Sequence, residues 1–172
     1  MSEPMPDLAD DLVLRRATQA DYLSAGAVTV AAYQPFIGDP AHDDYVARLE
    51  DAASRDHDAE LWVATSAADE LLGCVTICPP GSRWREIATD DEGEFRMLAV
   101  APTAQGRGVG RALVELVLDR FRTDGASAVA LSSLREMSDA HRLYERLGFT
   151  RMPDRDWRPL PEVDLIAFRK EL

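Results

Sequence analysis

The alternation of apolar and polar positions along this chain reads as β α α β β β α β α β β. Leu12-Val13-Leu14-Arg15-Arg16-Ala17 predicts a first strand. Thr18 and Asp21 are helix-start residues before the apolar stretch Tyr22–Tyr33, and Gln34-Pro35 is the expected stop, because proline lacks an N–H and clashes with the preceding turn. A second helix is expected over Asp43–Ala53, ended by the polar run Ser54–Asp58. Leu61–Thr65 and Leu71–Cys78 read as a hairpin turned at Ala68-Asp69-Glu70, and Pro79-Pro80-Gly81 stops its second strand. Residues 81–93 read as a polar surface loop before a strand over Glu94–Val100, which Pro102 ends. Val109, Leu113, Leu116, Val117 and Phe121 line one face of a helix running to about Arg122. Ala128–Leu131 is a short buried strand. Ser138 is an N-cap for a helix with Ala140, Leu143, Tyr144 and Leu147 inside, and Gly148 suits its left-handed end. Phe149–Met152 and Val163–Arg169 close the chain as strands. This is a mixed α/β layer architecture, with residues 1–10 a loose tail and residues 11–172 a single domain.

Composition agrees with that reading. A chain of 172 residues, 46% hydrophobic and 29% charged, buries enough surface to need no disulfide or metal staple. Its two cysteines, Cys74 and Cys78, fall about 13 Å apart on one strand at the usual rise per residue, too far to bridge. They read as small buried hydrophobes, and no metal-ligand spacing accompanies them. The net charge of −12 excludes a general basic footprint for nucleic acid. Residues 1–60 carry thirteen acidic against four basic residues, a net −9, where something cationic could approach. The absence of a long apolar run or a signal-like start predicts a cytoplasmic protein without a membrane segment.

Candidate chemistry gathers at Gln105-Gly106-Arg107-Gly108-Val109-Gly110, between a strand and an amphipathic helix. There, successive backbone N–H groups and the helix dipole can hold an anion such as a pyrophosphate. The dinucleotide fingerprint needs a glycine where Arg111 stands, and the phosphate loop of nucleotide hydrolases needs a Gly-Lys-Ser/Thr that is missing.

The pattern Gln-x-x-Gly-x-Gly after Leu98-Ala99-Val100-Ala101-Pro102, followed by Ala140-His141-Arg142-Leu143-Tyr144-Glu145-Arg146-Leu147-Gly148-Phe149, resembles the GNAT superfamily of acetyl-CoA-dependent N-acetyltransferases. Arg15-Arg16-Ala17-Thr18 and Asp21 are similar to that family's opening. The resemblance implies a mostly antiparallel sheet of about seven strands, splayed between the fourth and fifth, flanked by about four helices. It implies acetyl-CoA as co-substrate, without a metal, lying along the open edge at Leu98, Ala99 and Val100. Its pyrophosphate would rest on the amides of Gln105, Gly106, Arg107, Gly108, Val109 and Gly110, with Arg107 and Arg111 adding charge. The Leu98 amide, at an expected bulge, would stabilise the oxyanion. Where the family often has Asn this chain has Met137, and Ser138 beside it is the substitute contact.

By the same resemblance Tyr144 matches the general acid, although its place on the buried helix stripe equally suits a core tyrosine. Glu94 stands where some members carry a base, and equally could be the ion-pair partner of Arg96. Ser132 and Ser133 are strand-end candidates for orienting substrate, and His141 is expected to be solvated. The acceptor, a small-molecule or peptide amine, would meet residues 21–53 and the 81–93 loop, with Tyr33 and Trp84 packing its apolar part. Asp39, Asp43, Asp44, Glu86, Asp90, Asp91 and Glu92 in those segments favour a cation. The implied activity is acetyl transfer to a primary amine by a monomer or homodimer. The alternatives are a non-catalytic acyl-CoA-binding module and, from the Gly-rich turn alone, another class of nucleotide-binding protein.

Overall fold

The computed structural model describes residues 7–38 and 42–172. Eight strands form one sheet in the order β1-β2-β3-β4-β5-β8-β6, with β7 also on β8. They are β1 (Val13–Arg16), β2 (Glu60–Thr65), β3 (Leu71–Cys78), β4 (Glu92–Val100), β5 (Ala128–Leu134), β6 (Thr150–Arg151), β7 (Trp157–Leu160) and β8 (Val163–Glu171). All pairs are antiparallel except β4 and β5, which run parallel. Five α-helices cover the sheet: α1 (Tyr22–Ile37), α2 (Asp43–Glu50), α3 (Ala52–Asp58), α4 (Val109–Thr123) and α5 (Ser138–Arg146). One apolar cluster joins α4 and α5 to the sheet through Val114, Phe121, Phe95 and Phe149, and a second joins α1 and α2 to it through Ile37, Leu49 and Met97. No described helix is long and apolar enough to cross a membrane.

Several elements depart from expectation for local reasons. Helix α1 continues through Pro35 to Ile37, because a proline in the last turn forfeits little and Ile37, 2% exposed, is buried by the extra turn. The expected helix over 43–53 is two helices. Asp51 leaves helical geometry and its carboxylate accepts the Ser54 N–H at 3.1 Å, starting α3 where a polar break was expected. Ser138 is the first residue of α5 and makes no capping hydrogen bond, so the N-cap position falls on Met137. Strand β7 was not foreseen: its four residues include Pro159 and only edge the sheet. Of the expected tail, residues 1–6 lie outside the described residues. Ala9–Asp11 form a 3-10 turn, and the Leu8 N–H donates to the Arg107 carbonyl at 2.8 Å.

The β4–β5 pairing spans only Glu92–Phe95 against Ala128–Leu131. Two features hold that closed end. A Cβ on Gly93 would fall 2.4 Å from the Phe121 ring, so glycine is what lets α4 lie flat on β4. Glu92, 3% exposed, accepts from Arg155 Nη1 at 2.6 Å, Arg169 Nε at 2.5 Å and the Thr89 N–H at 2.9 Å. Burial opposes its charge, but these donors outweigh burial and hold the carboxyl down at about 2. A depressed folded-state pKa adds stability above the unfolded value near 4.5, and that stability disappears as pH falls toward 2. The contribution is about 3 kcal/mol. Urea midpoints measured from pH 6 to pH 2 are therefore expected to fall more steeply for the wild type than for Glu92→Gln, and parallel curves would contradict the assignment.

Candidate active site

Beyond Phe95 and Leu131, β4 and β5 diverge, leaving the β5-facing edge of Arg96–Val100 without strand partners. At the vertex β4 carries a bulge. Thr76 pairs with Arg96 and Cys74 with Ala99, so Met97 and Leu98 together face Val75, and Met97 takes φ +53°. This is where the sequence placed the Leu98 bulge. Leu98 and Val100 pack toward α4, whereas Met97 and Ala99 face α1, so the bulge hands neighbouring side chains to opposite faces.

The chain then turns through Pro102–Ala104 and enters the glycine-rich turn. Gly106 and Gly108 take φ of +74° and +86°, conformations that a Cβ would strain, and Gly108 is the N-cap of α4. No side chain caps that helix start, so its first amides are presented in an oriented set. Gly110 has another duty as well: a Cβ there would come within 3.3 Å of Leu143 in α5. Gln105 and Arg111 are exposed, and Arg111 pairs with Glu115 one turn along at 2.9 Å. Asp7 intrudes on this turn, its Oδ1 lying 2.3 Å from the point where a Cβ on Gly108 would project. The cradle and the open edge of β4 are thus continuous and fit a cofactor carrying both a diphosphate and an amide-bearing arm.

Tyr144 and Tyr33 reach this region from opposite faces of the sheet. Tyr144, 4% exposed, is ringed by Phe95, Phe149 and Phe168 at centroid distances of 6.0, 5.9 and 5.8 Å. Burial raises its pKa, so its phenol stays protonated. Tyr33 packs against Tyr45 at 6.4 Å. Its pKa is raised chiefly by burial and further by Tyr45 and Tyr144, which places the two phenols within electrostatic reach of one another.

Glu94 is fully buried, and its partner is not Arg96. Its carboxylate accepts the backbone N–H groups of Glu86 at 3.1 Å and of Ile87 and Ala88 at 2.9 Å, pinning the loop that precedes β4. Arg96 instead lies 2.7 Å from Glu86 Oε1, stacks 5.2 Å from the Trp84 ring centroid, and donates to the Trp84 carbonyl at 3.3 Å. Trp84 donates its indole N–H to the Ser54 carbonyl at 3.2 Å, so it is clamped between α3 and Arg96.

Other expectations shift. His141 is not solvated. Its Nε2 lies 3.1 Å from Ser133 Oγ and 3.0 Å from the Leu134 carbonyl, its ring packs 5.2 Å from Phe168, and burial lowers its pKa. Ser132 accepts the Trp157 indole N–H at 3.2 Å. Much of the acidic surplus is spent internally, Asp21 on Arg15 at 2.7 Å and Asp56 on Arg16 at 2.8 Å and Tyr22 at 2.5 Å. Glu92 and Asp91, the latter bonded to Ser127 at 2.7 Å, lie at the closed end of the sheet rather than near Tyr33. Asp39 lies outside the described residues, while Asp43 and Asp44 are exposed at the start of α2.

Residues 28–149 match the model of the acetyltransferase (GNAT) family. The chain belongs to that family. A mycothiol acetyltransferase from Beutenbergia cavernae is 44% identical over 90 residues, 52% of this chain and 28% of the relative. The chain covers between 24% and 44% of the length of the mycothiol acetyltransferases it matches. The fold matches a GNAT-family acetyltransferase from Staphylococcus aureus Mu50 with a TM-score of 0.73 at 12% identity, over 94% of this chain and 99% of that one. It also matches the PaiA N-acetyltransferase from Thermoplasma acidophilum in complex with coenzyme A, with a TM-score of 0.69 at 15% identity, over 94% and 99% of the two chains. In this GNAT chain, as expected, the sheet is splayed between its fourth and fifth strands; the eighth strand and the division of α2 from α3 are additions to the expected set.

Proposed function

We propose that this GNAT chain is a cytoplasmic enzyme that transfers an acetyl group from acetyl-CoA directly to the primary amine of a small-molecule acceptor. The observation that carries the reading is the run from the unpaired edge of β4 into the positive-φ glycines and uncapped start of α4, ending at a vertex where Tyr33 and Tyr144 meet. When bound, acetyl-CoA supplies an acetyl group activated as a thioester. The amides of residues 105–110 hold its diphosphate, and those of Leu98 and Val100 orient its arm. Leu98, next to the bulge, offers an N–H to negative charge developing on the acetyl oxygen. Tyr144 holds a proton for the departing sulfur.

Acceptor class follows from the α1–α2 side of the vertex. Tyr33, Tyr45 and Trp84 present an apolar, aromatic wall beside the charged pair Glu86 and Arg96. That combination suits a compact amine with an apolar portion better than a highly charged polyamine. The mycothiol acetyltransferase relatives add support for a small-molecule acceptor. The test is acceptor-dependent release of free thiol from acetyl-CoA across aliphatic, aromatic, sugar-linked and peptide amines between pH 6 and 9. Small amines bearing an apolar group are expected to be the best acceptors. Coenzyme A binding without thiol release for any amine would mark a binding module instead.

A further inference from the structure

We propose that Glu86, in the loop between β3 and β4, is the base that takes the acceptor's proton, and that Glu94 is the residue that positions it. The proposal rests on the acetyl-transfer reading above and adds to it a proton acceptor that sequence spacing did not single out. A protonated amine has no free electron pair, so the site needs a carboxylate or imidazole with a proton-accepting atom left unoccupied.

The two carboxylates near the vertex differ in just that respect. Both oxygens of Glu94 receive backbone N–H groups, and the side chain is wholly enclosed. Protonating it would set an O–H against inward-pointing donors and loosen the loop. Glu86 has the opposite arrangement. Its side chain is 14% exposed, and although Arg96 Nε lies 2.7 Å from Oε1, that oxygen receives no hydrogen bond. The contact is an ion pair without a directed donor, and the lone pairs stay available. Because the amide N–H of Glu86 itself donates to Glu94, the fixed carboxylate sets the backbone from which the available one projects.

The electrostatic surroundings agree. Burial pushes the Glu86 carboxyl up to about 7; Arg96 and Arg48 pull it down, and Glu94 adds to the rise. Tyr45 from α2 and Cys78 from β3 also feel its charge, and burial raises the pKa of each, so both stay neutral. Glu86 therefore faces two cations, one carboxylate and two neutral groups. In the reaction it accepts one proton from the ammonium. The freed nitrogen pair forms the C–N bond as the C–S pair leaves with sulfur, and the second nitrogen proton replaces the one Tyr144 gives to the thiolate. Glu86 then returns its proton to water.

Two measurements decide the matter. In a carboxyl-carbon NMR titration of the wild-type protein, the resonance that disappears in Glu86→Gln is expected to titrate near pH 7, and a midpoint between 4 and 5 overturns the proposal. In kinetics, the acid limb of kcat/KM near pH 7 is expected to vanish in Glu86→Gln, with kcat/KM down roughly 100-fold or more at pH 8. Glu94→Gln turns an amide N–H₂ toward backbone donors. It is expected to raise the acceptor KM and lower kcat while keeping an acid limb. The limb at the amine's own pKa is common to all three proteins and serves as reference. Survival of the acid limb in Glu86→Gln with its loss in Glu94→Gln reverses the roles and overturns the proposal. A wild type without turnover defeats the acetyl-transfer reading instead, and the NMR titration still decides whether Glu86 is poised near neutrality.

Discussion

Tyr144→Phe is expected to lower kcat by about 10²–10³-fold while leaving the acceptor KM and the melting temperature close to wild type. The two halves of that expectation have separate causes. The aromatic cage of Phe95, Phe149 and Phe168 surrounds the ring, which phenylalanine retains, so packing changes little. The hydroxyl is the part that faces Tyr33 across the splay. Since burial keeps the phenol protonated, it can donate to a leaving thiolate throughout the working pH range and adds no alkaline limb of its own below its raised pKa. Steady-state kinetics with the best acceptor from the panel, alongside a thermal melt, checks both halves. Unchanged kcat together with unchanged or increased stability would show the hydroxyl to be a core substituent and nothing more.

The largest expected loss of stability comes from Arg55→Ala, about 3–5 kcal/mol. Arg55 is fully buried in α3. It donates to Thr76 Oγ1 at 3.1 Å, Thr29 Oγ1 at 3.4 Å and the Leu49 carbonyl at 3.0 Å, while its Nε has no partner. No carboxylate among the described residues lies within ion-pair distance of it. Truncation therefore relieves a desolvated cation, but it leaves an arginine-sized void and an α2-terminal carbonyl without its donor. The void and the lost donors outweigh the relief, because the guanidinium ties α1, α2 and β3 together at one point. Arg55→Met separates the contributions: it restores most of the volume but none of the donors, and is expected to lose less than half as much. Urea unfolding of the three proteins measures the difference. Equal losses for Ala and Met would assign the effect to hydrogen bonding alone.

What could be read from the chain was local. The glycine-rich turn, the strand before it and the stripe of α4 are set by neighbours in sequence, and each lies where its pattern placed it. Tyr144 was identifiable with both of its roles open, because one helical stripe can face a core and a cleft together. Glu94 was located but not its partners, since these are amides of a loop whose path depends on tertiary folding. The same limit hid Glu86 and Arg55, which look like ordinary surface charges until the loop and α3 are seen against the sheet. A usable signal was present at Asp51, where Asp-x-x-Ser is an N-cap pattern that marks the start of α3. For Pro35 the expectation followed backbone chemistry alone and omitted the buried Ile37 beyond it.

The carboxylate of Asp7 beside Gly108 bears on how any coenzyme affinity for this protein should be understood. A diphosphate arriving at the turn meets a group of its own sign, held nearby by the backbone bond from Leu8 to Arg107. Loading is then an exchange of one anion for another, and the measured dissociation constant is the net of two interactions. The N-terminal segment becomes a built-in competitor, able to tune occupancy by its own sequence with no change to a residue that touches the acetyl group.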